Sequence, residues 1–486
     1  MLTRLFRIEG LGHLSTLIAD DSAGVAAVVD PRRDVDAYLD AAREINVRIS
    51  HVVETHLHND YVSGGRELAA LTGATHLIGA GAALAHEHRP LRDGATFDVG
   101  SLRFMTRDTP GHTPEHVVYS VADTSRGEDP ALLFTGGSLL VGAVGRTDLL
   151  GEEHAVAYAH DMHRSLHEVI LPHDDHVVVQ PTHGAGSLCA TGIASTPTTT
   201  IGYERRHDAL LRVQDVEDFA RRLLHRQPAV PRYFARMRPT NQAGPALLGG
   251  RIPAPRPMAV DETRSAIAGG ALLLDLRPPA DHAVAHAPGS QSIPLGPSFG
   301  TWLGWVVEPD RPIVLILERP TDWDEAIRQA IRIGAEGSIV GHLRGGFGAW
   351  ADSGGRLESS GRLSVDQLAD QLNRGGPEAP LVIDVRQADE YASSHIPGSI
   401  HITAGSLPDR LAELPADRRI ATICASGLRA SVAASILRTN GFTDVSWVAS
   451  GVPAWRAAGH PIVRGEAPTG SAPTRRRAPI RAGARG

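Results

Sequence analysis

Short apolar runs alternate with longer amphipathic ones along most of the chain. Residues 25–30, ending in Asp30, and residues 177–180 are valine-rich and too short for helices, so they predict strands. Residues 34–45 and 65–71 carry apolar positions at helical spacing and predict helices. Farther on, Val382-Ile-Asp-Val-Arg386 reads as a buried strand ending in a carboxylate and a guanidinium. Residues 419–423 read as another strand, and 430–437 as an apolar helix. Strands and helices in repeated alternation predict an α/β chain, and in such folds chemistry gathers at the C-terminal ends of strands. No apolar run reaches about 18 residues, so the pattern predicts no membrane-spanning helix.

The pattern also repeats. Leu273-Leu-Asp-Leu-Arg277 with His286-Ala-Pro-Gly289 returns as Ile383-Asp-Val-Arg386 with His395-Ile-Pro-Gly398. Gly345-Gly-Phe-Gly-Ala-Trp350 returns as Ser450-Gly-Val-Pro-Ala-Trp455. Two copies of one domain are therefore expected in tandem, over residues 255–355 and 360–465. A Gly/Pro-rich stretch, 249–257, reads as the linker that precedes them. Residues 1–245 form a separate N-terminal unit. Residues 466–486 lack large apolar side chains and read as a disordered tail. Its five arginines fit a solvated segment better than a nucleic-acid contact.

Composition narrows the function classes. A hydrophobic content of 42% with 21% charged residues is that of a soluble globular protein. A net charge of −7 gives no general case for nucleic acid or a membrane surface. The 48 basic side chains are all arginine. The first residues lack the features of a secretory signal, and 2 distant cysteines make no disulfide framework. A reducing, cytoplasmic setting is expected.

One of those cysteines sits in a telling place. Cys424-Ala-Ser-Gly-Leu-Arg429 follows a strand and opens a helix. The amides of Ala425, Ser426, Gly427 and Leu428 and the positive helix end would converge on the sulfur and favour thiolate over thiol. Arg429 adds a positive charge. A free cysteine is often just a small buried apolar residue, but the glycine, the arginine and the flanking elements all suit a nucleophile. The first copy of the repeat reads Leu315-Ile-Leu-Glu-Arg-Pro-Thr-Asp322 at the same place, and no cysteine occurs between residues 190 and 423. That copy is expected to be a structural or docking domain, not a sulfurtransferase.

Histidine is dense in the N-terminal unit. Thr55-His-Leu-His-Asn-Asp-Tyr61 offers His56, His58 and Asp60 on alternate positions, which an extended backbone would point to one side. Thr109-Pro-Gly-His-Thr-Pro114 is a turn that presents His112, and Pro181-Thr-His-Gly184 presents His183. A lone histidine is usually an ordinary polar residue. Three clusters at loop tips point instead to a metal site, because neutral imidazole is a common metal ligand.

The cysteine loop and its surroundings resemble rhodanese-type sulfurtransferases, whose cysteine carries sulfane sulfur as a persulfide. The related phosphatases have a loop one residue longer. The resemblance implies that Cys424 is the nucleophile, that Arg429 and the loop amides stabilise its anion, and that Asp384 and Arg386 shape the neighbouring loop. The histidine clusters resemble the metallo-β-lactamase fold, with its HxHxDH signature, PGHT turn and later histidine. Phe134-Thr-Gly-Gly-Ser-Leu-Leu140 and Gly145-Arg-Thr-Asp148 are similar to the FTGDALL and GRTD segments of persulfide dioxygenases and glyoxalase II hydrolases. The implied fold is an αββα sandwich followed by two doubly wound α/β rhodanese-like domains.

By this resemblance His56 and His112 hold the metal, Arg146 lies near the thiol substrate, and residues 195–206 line its pocket. Two departures stand out. Gly137 occupies the position of the family's metal-bound aspartate, and Tyr61 that of the histidine closing HxHxDH. Three outcomes are open: Fe(II) on His56, His112 and a third group such as His58, Asp60 or water; one zinc on His56, His58 and His112, with Asp60 or His183 beyond; or a persulfide-binding scaffold without metal. Cys189 is either a second sulfur-carrying thiol or an inert buried cysteine. The implied activity is persulfide dioxygenation coupled to sulfur transfer, with a low-molecular-weight thiol persulfide, thiosulfate or sulfite as substrates. A zinc thioester hydrolase with a sulfur relay, and a sulfurtransferase on a non-catalytic scaffold, are the alternatives. Neither nucleic acid nor membrane is an expected partner; a homo-oligomer is.

Overall fold

The computed structural model describes residues 1–225, 227–376 and 379–465. The tail expected at 466–486 lies outside them. Two six-stranded sheets build the N-terminal unit. The first runs Leu2–Ile8, His13–Asp20, Val25–Val29, Arg48–Glu54, Thr75–Gly79, Arg89–Leu91. The second runs Thr199–Thr200, Val178–Pro181, Leu132–Gly136, Val117–Asp123, Leu102–Asp108, Thr96–Val99. Neighbouring residues on one strand serve opposite faces. Ile18, Val29 and Val53 point between the sheets, against Phe104, Tyr119 and Phe134. Leu17, Val28 and Val52 point outward, under the helices Asp36–Glu44 and Gly65–Thr72. The far sheet is covered by Glu152–Ser165 and Val216–Leu224. With both faces buried, these strands are near-continuous apolar runs, and the layers are αββα.

The tandem repeat is visible in three dimensions. One five-stranded sheet orders Pro257–Met258, Ile339–Leu343, Ile313–Ile316, Leu272–Asp275, Gln291–Ser292. The other orders Gly361–Leu363, Val445–Val448, Ile420–Ile423, Leu381–Asp384, Ile400–His401. All pairings in both are parallel.

One apolar cluster joins all three units. It contains Leu11 and Tyr61 from the first, Phe299 and Trp305 from the second, and Ile383 and Cys424 from the third. The helix Asp322–Arg332 of the middle unit docks on the N-terminal unit. Arg332 grips buried Asp34 through two bonds, 2.9 and 2.6 Å, and its carbonyl accepts from Val62 N–H at 2.7 Å. Arg328 reaches Asp36 at 2.7 Å. Between the second and third units, Ser435 Oγ donates to the Ser292 carbonyl at 3.3 Å.

Candidate functional site

Four strands from both sheets end at one place. Arg48–Glu54 delivers His56, His58 and Asp60, and Leu102–Asp108 delivers His112. Leu132–Gly136 leads into Gly137, and Val178–Pro181 into His183. All five of these polar side chains are buried. The ring of His56 lies 4.3 Å from that of His58, 4.9 Å from His112 and 5.5 Å from His183, centre to centre. The backbone at 55–62 is an irregular loop, not the extended segment expected. Asn241 holds it in shape by donating to the carbonyls of His58 and Tyr61, both at 2.9 Å.

The outer nitrogens of these rings face polar partners. His56 Nδ1 donates to Thr55 Oγ1 at 2.8 Å, whose own proton goes to Asp30 at 2.9 Å. His58 Nε2 lies 3.3 Å from Asp30 Oδ1, and His112 Nδ1 donates to the Arg146 carbonyl at 2.8 Å. His183 Nδ1 lies 3.2 Å from Asp60 Oδ2. That leaves His56 Nε2, His58 Nδ1 and His183 Nε2 facing inward, buried and without hydrogen-bond partners. Such an arrangement fixes tautomers and presents lone pairs, which is what a metal ion requires. Ligand atoms of His56, His58 and His183 all lie within 4.8 Å of one another. A second group within that distance is His112, His183 and Cys189. His112 thus joins a different set from the His56–His58–His112 zinc trio expected.

Burial, reinforced by its imidazole neighbours, holds His56 well below the usual histidine range. Burial likewise brings His112 down to about 3. Both rings are therefore neutral and able to ligate. His183 moves the other way. Burial opposes its cation, but Cys189 and Asp60 outweigh it.

Asp30, which the sequence reading does not single out, braces the site. It ends a strand at φ 51°, a left-handed conformation that side chains other than glycine's rarely adopt. Its carboxylate accepts from Thr55 N at 2.8 Å and from Thr55 and Thr182 hydroxyls. His116 was also passed over. Its Nε2 accepts from Gly137 N–H at 3.0 Å and its Nδ1 is 2.8 Å from Thr109 Oγ1, so it is a brace for the strand end.

The two departures have physical counterparts. A Cβ built on Gly137 would overlap the His112 ring, so His112 occupies the space a carboxylate there would need. Tyr61 stacks on His58 at 4.4 Å and donates to the Asp30 carbonyl at 3.3 Å. It packs the site wall. Arg146 is also committed elsewhere. Its guanidinium clasps Asp148 at 2.6 and 2.7 Å and donates to the carbonyls of Leu188 at 3.0 Å and Pro228 at 2.8 Å. It anchors the Cys189 loop. Residues Thr196, Thr198–Thr200, Tyr203 and Glu204 contribute to a cavity of about 850 Å³, whose other walls include Val141 and Ala194.

The second site is simpler. Cys424 directly follows the strand Ile420–Ile423, and the helix Leu428–Thr439 starts four residues later. Gly427 turns the loop at φ 96°, and its N–H donates to Cys424 Sγ at 3.1 Å. Val452 N–H secures the Cys424 carbonyl at 2.8 Å. Ala425 is half-buried, while Ser426 and Leu428 are exposed and form the mouth. Arg429 forms a bidentate pair with Glu390 at 2.5 and 2.8 Å. Its charge is therefore shared with a partner. Arg386 is locked onto Asp384 and onto the Ser394 carbonyl at 2.6 Å, holding the segment 386–394. In the middle unit Asp322 folds back on the equivalent loop, accepting from Arg319 N–H at 3.0 Å. A carboxylate takes up a backbone amide of this loop.

The comparisons match this division. Residues 8–183 match the family described as the metallo-beta-lactamase superfamily, and residues 259–353 and 364–458 each match the rhodanese-like domain. The chain joins a metallo-β-lactamase domain to two rhodanese-like domains. The metallo-β-lactamase domain is homologous to curated enzymes. It is similar to the persulfide dioxygenase ETHE1 of Bos taurus, 27% identical over 37% of this chain and 68% of that one. It is also similar to the hydroxyacylglutathione hydrolase of Methylococcus capsulatus, 36% identical over 27% of this chain and 49% of that one. The chain thus spans about half to two thirds of these relatives. Among solved structures it is similar to a metallo-β-lactamase from Staphylococcus aureus, 29% identical with a TM-score of 0.64, over 70% of this chain and 98% of that one. That share exceeds residues 8–183, so the likeness extends into the rhodanese-like half. Rhodanese and persulfide dioxygenase homology together support an enzyme of sulfur metabolism.

Proposed function

We propose that the chain oxidises and transfers the sulfane sulfur of a low-molecular-weight thiol persulfide, in the metallo-β-lactamase and last rhodanese-like domains respectively. The observation that carries the reading is the Gly427 N–H aimed at Cys424 Sγ at 3.1 Å, at a helix start. The Cys424 thiolate attacks the outer sulfur of a donor. The donor's S–S bond breaks, its electron pair leaves with the inner sulfur, and Cys424 carries the persulfide. An acceptor such as sulfite or a thiol then takes that sulfur and restores the thiolate. The loop amides hold the negative charge throughout.

In the metallo-β-lactamase domain, His56, His58 and His183 would hold the ion, and their unpartnered nitrogens fit one. Bound Fe(II) would supply O₂ chemistry, with the balance RSSH + O₂ + H₂O → RSH + sulfite + 2 H⁺. Asp30, Thr55 and Asp60 orient the imidazoles, and the buried site excludes bulk water. Keeping both reactions on one chain raises the effective concentration of a labile persulfide. A second reading has one specific support. Three imidazoles without a carboxylate at 137 are a donor set of zinc hydrolases, and the hydrolase homology agrees.

Metal analysis with an oxygen electrode separates the two readings. Iron and O₂ uptake on glutathione persulfide support the first; zinc and thioester cleavage support the second. In either case Cys424→Ser should lower thiosulfate-to-cyanide sulfur transfer by roughly three orders of magnitude or more. Transfer left intact in that variant would end the sulfurtransferase reading.

A further inference from the structure

We propose that Cys189 is a metal ligand, forming with His112 and His183 a thiolate-containing position in the metallo-β-lactamase domain. The inference rests on the reading that this histidine cluster binds metal, and it names a ligand that reading does not contain. Ligand atoms of the three residues lie within 4.8 Å of one another. Around a tetrahedral zinc with N and S ligands, neighbouring donor atoms stand about 3.4–3.7 Å apart. Small side-chain shifts close the set. Cys189 is 1% exposed and His183 is fully buried, with its Nε2 lacking a hydrogen-bond partner.

The loop is built to keep the thiol there. Cys189 N–H donates to Ser187 Oγ at 3.1 Å, and Ser187 N–H to the Gly184 carbonyl at 3.0 Å. Arg146 links both ends of the set. Its N–H donates to the Cys189 carbonyl at 2.8 Å, and its own carbonyl accepts from His112 Nδ1 at 2.8 Å. His112 is thereby left with Nε2 as its ligand atom, and one residue fixes it relative to Cys189.

Charge supplies the reason. A divalent ion on neutral imidazoles in a fully buried site meets no anion among its direct ligands, since the carboxylates of Asp30 and Asp60 act only through His58 and His183, and a directly bound anion is favoured at low dielectric. Position 137 cannot provide a carboxylate, because the His112 ring fills its space. A coordinating thiol ligates as the thiolate and neutralises one charge. It also shifts preference toward zinc, the metal of the second reading above, since soft sulfur ligands favour it over a hard-donor iron site.

Cobalt(II), added to the metal-stripped full-length protein, tests this. Thiolate coordination gives a near-ultraviolet charge-transfer band beside the visible d–d bands. The band is expected in the parent chain and in Cys424→Ser. In Cys189→Ser it should vanish while d–d bands persist, with cobalt bound roughly ten-fold or more weakly. X-ray absorption on the unmutated zinc-loaded protein should find one sulfur at about 2.3 Å, a readout independent of how any variant folds. Visible bands without charge transfer in the parent chain, or a sulfur signal lost in Cys424→Ser but kept in Cys189→Ser, would overturn the proposal and leave the imidazole site standing. If no cobalt binds, both this proposal and the reading beneath it fall.

Discussion

Gly137 is the residue at which family resemblance and local geometry pull apart. Resemblance alone suggests that restoring an aspartate would restore a family-type metal triad. The geometry predicts the reverse, because the new Cβ would overlap the His112 ring. Gly137→Asp should displace His112 from the Arg146 carbonyl and destabilise the domain by about 1–3 kcal/mol, as overpacking does. Thermal unfolding and chelator competition would register lower stability and weaker metal binding. Tighter binding would mean that His112 can swing aside and make room. The sequence announced the missing carboxylate but not what replaced it. Position 137 reads only as glycine, whereas the ring that fills its space arrives from a turn 25 residues earlier. Cys189 was open in the same way. His183 stands six residues before it, but His112 comes from a turn far earlier and meets both only when the strands of the second sheet have paired.

At the scale of elements, the strand ends carry the design. The fold class, the tandem repeat, the cysteine loop and the histidines at strand termini were legible, because each is a local pattern of spacing. Strands expected at 25–30 and 177–180 formed as Val25–Val29 and Val178–Pro181, and the two early helices formed as Asp36–Glu44 and Gly65–Thr72. The orienting contacts were not legible, since they join residues far apart in sequence. Asp30 is the chief case: it touches Thr55, His58 and Thr182 across two sheets. Asp30→Asn keeps the size but replaces a carboxylate oxygen with a donor, so His58 and the Thr55–His56 chain lose their anchor. Metal affinity should fall about 10- to 100-fold with the fold retained, measured by competition with a chromogenic chelator. Unchanged affinity would show that the imidazoles are held by packing alone.

Between the two rhodanese-like domains, His282 belongs to the short helix Pro279–Val284 and stacks on His286 at 4.0 Å. Burial first, then the neighbouring His286 and Arg277, brings it down to about 2 from the 6.5 of an unfolded chain. The unfolded chain therefore takes up a proton before the folded one does. The stability due to neutral His282 is complete above pH 6.5 and drains away as pH falls from there toward 2. The limiting slope is about 1.4 kcal/mol per pH unit. His282→Gln should flatten the decline in unfolding free energy between pH 6.5 and 5 relative to the parent chain. Parallel curves would mean that His282 becomes protonated without unfolding.

For the whole molecule, the contacts of the domain without a nucleophile predict a mechanical role for it. Its helix Asp322–Arg332 starts where the active copy has its cysteine loop, and it spends its arginines on the metallo-β-lactamase domain. Asp34 is fully buried, and Arg332 supplies both of its strongest bonds. Arg332→Ala would leave a carboxylate buried with only the longer contacts to Arg32 and Arg328, 3.3 and 3.7 Å. Stranding a buried charge costs about 3–5 kcal/mol, and here the loss falls on the junction, next to Val62 and the loop that carries His56 and His58. Two measurements then move together: the thermal transition of the full chain drops or splits in two, and metal binding weakens although no ligand has changed. Replacing Asp34 and Arg332 together by apolar residues of similar volume should recover most of the stability, because the stranded charge is gone. If the single variant loosens neither transition nor metal, the middle domain is a spacer, and the metal loop stands without its support.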